Sequence, residues 1–248
     1  MTTTPDAVHQ DVERYYAAHA RNAGSACCDK SSDEACCGTY PVELLESVPA
    51  DIASFSLGCA NPITAAGLKP GEAVLDLGSG GGLDCFLAAR EVGPGGRVIG
   101  IDMTDAMLER AEANRLRAGA QNVEFRMGLI EALPVADGSV DVVVSNCVIN
   151  LAPDKAPVFR EIARVLRPGG RLCVGDIVTR GSLREDLRQQ ADSWAACIAG
   201  ALTAEAYAAG LTAVGLGGVE VRPADGRNPD EIPEGIPYSA LITARRPA

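Results

Sequence analysis

The chain has 248 residues, enough for one large α/β domain with short appendages, and its 47% hydrophobic and 22% charged residues are those of a soluble globular protein. A formal net charge of −11 speaks against a nucleic-acid partner and against an anionic membrane surface, because both require clustered Lys and Arg. The opening MTTTPDAVHQ has no basic region followed by an apolar stretch, and no apolar run is long enough to span a bilayer, so the expected location is the cytoplasm.

Thr4-Pro5-Asp6 reads as a helix start, and Val8, Val12, Tyr15 and His19 recur at helical spacing to about Ala20. Residues 21–38 are small, polar and cysteine-rich, and a linker-like stretch runs from Tyr40 to Pro62. From Ala73 strands and helices alternate. Strands are expected over 73–77, 97–102, 123–127, 140–146 and 171–178. Helices are expected over 83–91, from Asp105 to Gly119, and from Asp154 to a break at Pro168-Gly169-Gly170. This alternation implies a doubly wound, mainly parallel α/β sheet covered on both faces. Helices over 182–199 and 203–213, then strands near 219–222 and 239–245, complete seven strands with an antiparallel hairpin at one edge. The resulting division is an N-terminal helix and cysteine-rich segment (1–46), a cofactor-binding core (47–180) and a C-terminal part (181–248).

Nine cysteines sit oddly in a reducing compartment, where an odd number cannot all pair and structural disulfides are disfavoured. With only His9 and His19 available, a mixed Cys/His zinc site is a poor fit. The thiols therefore fill the core or do chemistry. Cys85 lies on a helix among Leu83, Phe86 and Leu87, and Cys173 lies inside a buried strand, so both are assigned to packing.

Asp76-Leu77-Gly78-Ser79-Gly80-Gly81-Gly82 joins a buried strand to a helix, where glycines let the backbone turn tightly and approach a ligand. A glycine-rich turn alone is weak evidence. Asp102, which ends the next strand, is where a ribose-binding acid belongs. The loop is not a dinucleotide fingerprint; it resembles the E/D-x-G-x-G-x-G element of class I methyltransferases. That resemblance implies S-adenosylmethionine as cofactor. Gly78, Ser79 and Gly80 then form the loop at its amino-acid end, and Asp76 orients the loop and the ammonium. Asp102 and its neighbour Met103 fall at the ribose, Ile130 and Glu131 at adenine, and Asn146 beside the transferred methyl. The plainer alternatives are an ordinary tight turn for the glycines and a solvated surface acid for Glu131.

The fourth strand ends in Ser145-Asn146-Cys147, placing a thiol where the acceptor of an α/β fold sits. Cys59 precedes the first strand and Cys197 follows the fifth, and a doubly wound fold can bring all three over one crevice. Three thiolates around one centre suit a soft, thiophilic ion such as As(III), whose free lone pair attacks a methyl carbon without a general base. Together, VLDLGSGGGLDCFLAAR, VIGIDMT, SNCVINL, VLRPGG and CIAGAL are similar to bacterial arsenite methyltransferases, over residues 47–221. The resemblance implies that Cys59, Cys147 and Cys197 bind arsenic, with arsenite or methylarsenite as substrate and a thiol reductant of glutathione or thioredoxin type as partner. Cys27, Cys28, Cys36 and Cys37 fall where such enzymes carry auxiliary cysteines for metalloid delivery or disulfide exchange; a four-cysteine zinc site is the rival reading. The sequence departs from its relatives at Ala60 and Phe55-Ser56. A methyltransferase for a small organic acceptor and a non-catalytic metalloid-binding protein are the two competing functions.

Overall fold

The computed structural model describes residues 4–21, 40–46, 48–53, 55, 58–185, 187 and 197–248. Helix α1 (Pro5–Arg21) opens the chain, as the Thr4-Pro5 start predicts. The stretch read as a linker instead contains α2 (Val42–Leu45), α3 (Ala50–Ala53) and α4 (Pro62–Ala66). A proline marks each start: Pro41 and Pro49 stand just before α2 and α3, their carbonyls accepting from Leu44 and Ile52, and Pro62 opens α4 behind the cap Asn61. Proline has φ preset for a first turn and no N–H to orphan there. Such single turns carry too little periodicity to be read from sequence.

The core then follows the expected order: β1 (Ala73–Leu77), α5 (Leu83–Val92), β2 (Arg97–Asp102), α6 (Asp105–Ala118), β3 (Val123–Met127) and β4 (Val140–Asn146). Helix α6 stops where Gly119 takes a left-handed φ of 64°. Next come α7 (Lys155–Val165), β5 (Leu166–Thr179), β6 (Leu202–Thr203), α8 (Ala204–Ala213), β7 (Gly217–Pro223) and β8 (Pro237–Arg245). The helix expected over 182–199 falls largely outside the described residues.

Seven strands lie in the order β3-β2-β1-β4-β5-β8-β7, and the two-residue β6 adds an eighth beside β5. The pairs through β5 are parallel; β8 runs antiparallel to both β5 and β7, the expected edge hairpin. Helix α7 is shorter than the sequence predicts, and the 166–170 segment belongs to β5. Pro168 disfavours a helical Arg167, and the chain instead bonds to the tail: Gly169 N–H donates to Arg246 O and Arg246 N–H to Gly170 O.

Alternation along the central strands supplies both faces. Leu75, Leu77, Ile99 and Val143 pack with Phe159, Ile162 and Tyr207 of α7 and α8. Val74, Val98, Val142 and Val144 pack with Phe86, Leu87 and Ile63 on the other side. The carboxyl ends of β1, β2 and β4 converge at the point where strand order reverses, which leaves a crevice there. Among the described residues no helix is long and apolar enough to cross a membrane.

Candidate active site

A cleft opens over that crevice, and every residue assigned above to the cofactor lines it: Asp76, Gly78, Ser79, Gly80, Asp102, Met103, Ile130, Glu131 and Asn146. The loop after β1 keeps Gly78, Gly80 and Gly82 at φ of 68°, 50° and 91°. At Gly78 there is a second constraint, because a Cβ would lie 2.3 Å from the Val148 side chain. Asp102 holds the loop from below, accepting Gly80 N–H at 2.9 Å on one oxygen and Thr104 N–H at 2.9 Å on the other.

Three carboxyls, those of Asp76, Asp84 and Asp102, gather along this wall of the cleft. Burial pushes all three upward, and for Asp76 the neighbouring Asp84 pushes further in the same direction. Among the described residues none of them pairs with a Lys or Arg. The Ser79 hydroxyl is buried without a protein partner among the same residues. Uncompensated carboxyls, an orphaned hydroxyl and a backbone cradle closed to side chains fit a ligand that brings a cationic amino-acid end. S-adenosylmethionine is such a ligand.

Several residues of the cleft escape a sequence reading. Asp84, in the first turn of α5, looks like an ordinary helix-start acid, yet it accepts from the Tyr40 hydroxyl and from Asn146 Nδ2. The Asn146 amide also donates to Tyr40 Oη and Ala60 O and accepts from Cys59 N–H and Ala60 N–H. From α1, His9 Nε2 lies 2.9 Å from Glu131 Oε1, so the expected adenine partner meets an imidazole from the other end of the chain. These partners are 44 to 122 residues apart, and no local spacing signals them.

The three candidate arsenic ligands do come together. Cys59 and Cys147 have Cα atoms 6.1 Å apart and are joined as a disulfide, and Cys197 Sγ donates to the Cys147 carbonyl at 3.1 Å. This corrects the expectation of three open thiols. Among the described residues no set of three or more His, Cys, Asp or Glu side chains is arranged to hold a metal ion. Cys147 and Cys197 are also the only non-glycine residues with positive φ among the described residues, at 57° and 58°. Val8 and Val12 of α1, with Leu151, pack around them. Cys27, Cys28, Cys36 and Cys37 lie outside the described residues.

Cys173 is buried in the core, and burial pushes its thiol up to about 12, as a packing role requires. Cys85 is also fully buried, but its Sγ additionally donates to Asp76 at 3.2 Å. The two serine variants should therefore differ. Cys173→Ser is expected to cost about 1–3 kcal/mol by burying a hydroxyl in an apolar strand. Cys85→Ser, whose hydroxyl inherits Asp76 as acceptor, should cost less. Paired urea titrations check this; equal losses would show that the Asp76 contact contributes nothing.

Residues 68–223 match the methyltransferase-domain family model. The chain is 46% identical to the arsenite methyltransferase of Halobacterium salinarum over 237 residues, covering 89% of this chain and 60% of that protein. It is 43% identical to the arsenite methyltransferase of Aquipseudomonas alcaligenes, covering 79% of this chain and 58% of that one. The chain thus spans about three fifths of these curated relatives. The crystal structure of an arsenic(III) S-adenosylmethionine methyltransferase from Chlamydomonas reinhardtii superposes with a TM-score of 0.68. It is 36% identical, and the match covers 84% of this chain and 73% of that one.

Proposed function

This chain belongs to the arsenite methyltransferase family, and from that premise we propose that it transfers a methyl group from S-adenosylmethionine to trivalent arsenic held by Cys59, Cys147 and Cys197, a detoxification reaction. The observation that carries the reading is the convergence of three cysteines from three distant segments beside a cleft suited to a cationic ligand. Arsenite exchanges its three hydroxyls for three thiols and releases three waters, so arsenic enters in trigonal sulfur coordination with its lone pair free. The apolar wall of Val8, Val12 and Leu151 excludes water from that centre.

When bound, S-adenosylmethionine supplies a methyl group on a sulfonium, an electrophile that needs no proton. The chain's part is positioning. Asp102 is assigned to the ribose, Asp76 and Ser79 to the amino-acid end, and Ile130 with Glu131 to adenine. Proximity of this kind contributes most when the nucleophile is already aligned.

The Cys59–Cys147 pairing supports a thiol reductant of glutathione or thioredoxin type as partner. Reducing that disulfide consumes two electrons and two protons and restores both ligands, while the reductant leaves as its own disulfide. Incubation with labelled cofactor, thiol and As(III), followed by separation of arsenic species, should yield methylated arsenic only when all three are present. Label transferred equally well without arsenic would favour a small organic acceptor. No cofactor binding by calorimetry would favour a metalloid-binding protein.

A further inference from the structure

We propose that Asn146 is a positioning residue that sets the spacing of Cys59 and Cys147, rather than a contact for the cofactor. The inference rests on the arsenic-binding role of those two thiols given above.

Asn146 ends β4 immediately before Cys147, while its side chain grips the segment that carries Cys59. Its Oδ1 accepts Cys59 N–H at 3.0 Å and Ala60 N–H at 3.3 Å. Its Nδ2 donates to Ala60 O and Tyr40 Oη, each at 2.8 Å, and to Asp84 Oδ2 at 3.3 Å. Because the Tyr40 hydroxyl donates to Asp84, its oxygen is left to accept from Asn146. That fixes which way the amide faces: nitrogen toward Tyr40, oxygen toward the Cys59 backbone. Both lone-pair directions of the oxygen and both hydrogens of the nitrogen are thereby used within the protein.

The surrounding space is equally committed. A Cβ at Gly58 would stand 2.2 Å from Asn146 Nδ2, and one at Gly175 would stand 2.7 Å from Ala60 Cβ and 3.0 Å from Asn146 Oδ1. The 58–60 segment is therefore clamped between the Asn146 amide and β5. Cys147 is fixed to the same strand, since its N–H donates to Gly175 O at 2.8 Å. One carboxamide thus ties both sulfur carriers to a single reference, the β4–β5 pair.

The test measures thiol spacing without arsenic. The reduced 248-residue protein is equilibrated with glutathione buffers, in which the Cys59–Cys147 dithiol and oxidised glutathione give the protein disulfide and two reduced glutathiones. The 59 and 147 peptides are then quantified by alkylation and mass. Asn146→Ala should lower the equilibrium constant for disulfide formation roughly tenfold, the size of one or two lost neutral hydrogen bonds, and leave S-adenosylhomocysteine affinity within about twofold by calorimetry. Gly58→Ala, which forces a methyl against the amide, should reproduce the shift with Asn146 intact, and it decides the matter should Asn146→Ala fail to fold. An unchanged thiol equilibrium in the folded variants overturns the proposal, and a lost homocysteine-cofactor affinity alongside it makes Asn146 a cofactor contact. Since no arsenic enters the exchange, its outcome is separate from that of the methylation assay.

Discussion

Cys147→Ser should abolish arsenite methylation, with rates falling at least about a hundredfold, the scale of loss when a reacting atom is displaced from its aligned position. A hydroxyl is a poor ligand for a thiophilic centre, so the variant offers arsenic two sulfurs and a position open to water or small thiols. The same collapse is expected for Cys59→Ser and Cys197→Ser with inorganic arsenite. A methylated arsenical has only two exchangeable positions, because one bond is already to carbon, and so needs only two protein sulfurs. Cys59→Ser is the variant expected to keep activity on it. Cys147 and Cys197 are the buried pair, with Cys197 Sγ on the Cys147 carbonyl, whereas Cys59 sits on the less regular segment before α4. Arsenic species are separated after timed incubation of each variant with arsenite or methylarsenite. A Cys147→Ser protein that methylates arsenite at the parent rate would falsify the arsenic reading and promote the organic-acceptor one.

Asp102→Ala should weaken binding of S-adenosylhomocysteine by about 2–3 kcal/mol, roughly 30- to 150-fold, as for loss of hydrogen bonds to a charged group. Two effects add. The carboxylate assigned to the ribose hydroxyls is gone, and the amides of Gly80 and Thr104 lose the acceptor that shapes the glycine loop. Asp102→Asn separates them, because it keeps an oxygen for one of those amides while losing the charge. Its affinity is expected to fall between the parent and the alanine variant. Calorimetry on all three proteins is the measurement, and an alanine variant that binds as tightly as the parent removes Asp102 from the cofactor site.

What the sequence discloses about this site is its local part. The Asp76–Gly82 loop, Asp102 and Cys147 each sit at the end of a short buried strand, and those ends are marked by abrupt changes from apolar runs to glycine, acid or Ser-Asn. The Tyr40–Asp84–Asn146 network and the His9–Glu131 contact are invisible for the opposite reason. Each joins elements that are neighbours only after the sheet is wound, and Tyr40, Asp84 and His9 alone read as ordinary polar groups while Asn146 and Glu131 read only as cofactor residues. Helix α7 shows a third case. The apolar period of 155–166 runs straight into a strand, and the pairing of Leu166 with Val140 and of the 169–170 backbone with Arg246 joins Pro168 in deciding where the helix ends. The bond between Cys59 and Cys147 was likewise hidden, since bringing three thiols over one crevice does not say which two of them pair.

The left-handed backbone at Cys147 and Cys197 bears on what selection for a stable fold, acting alone, would do to this chain. A β-carbon in that region costs roughly 1–2 kcal/mol per residue, which glycine avoids. At Cys173 the opposite holds: a small apolar side chain in a packed strand is close to the best occupant available. Selection for stability alone would thus favour glycine at 197 and keep Cys173, whereas at 147 the relief of strain is set against the lost bond to Cys59.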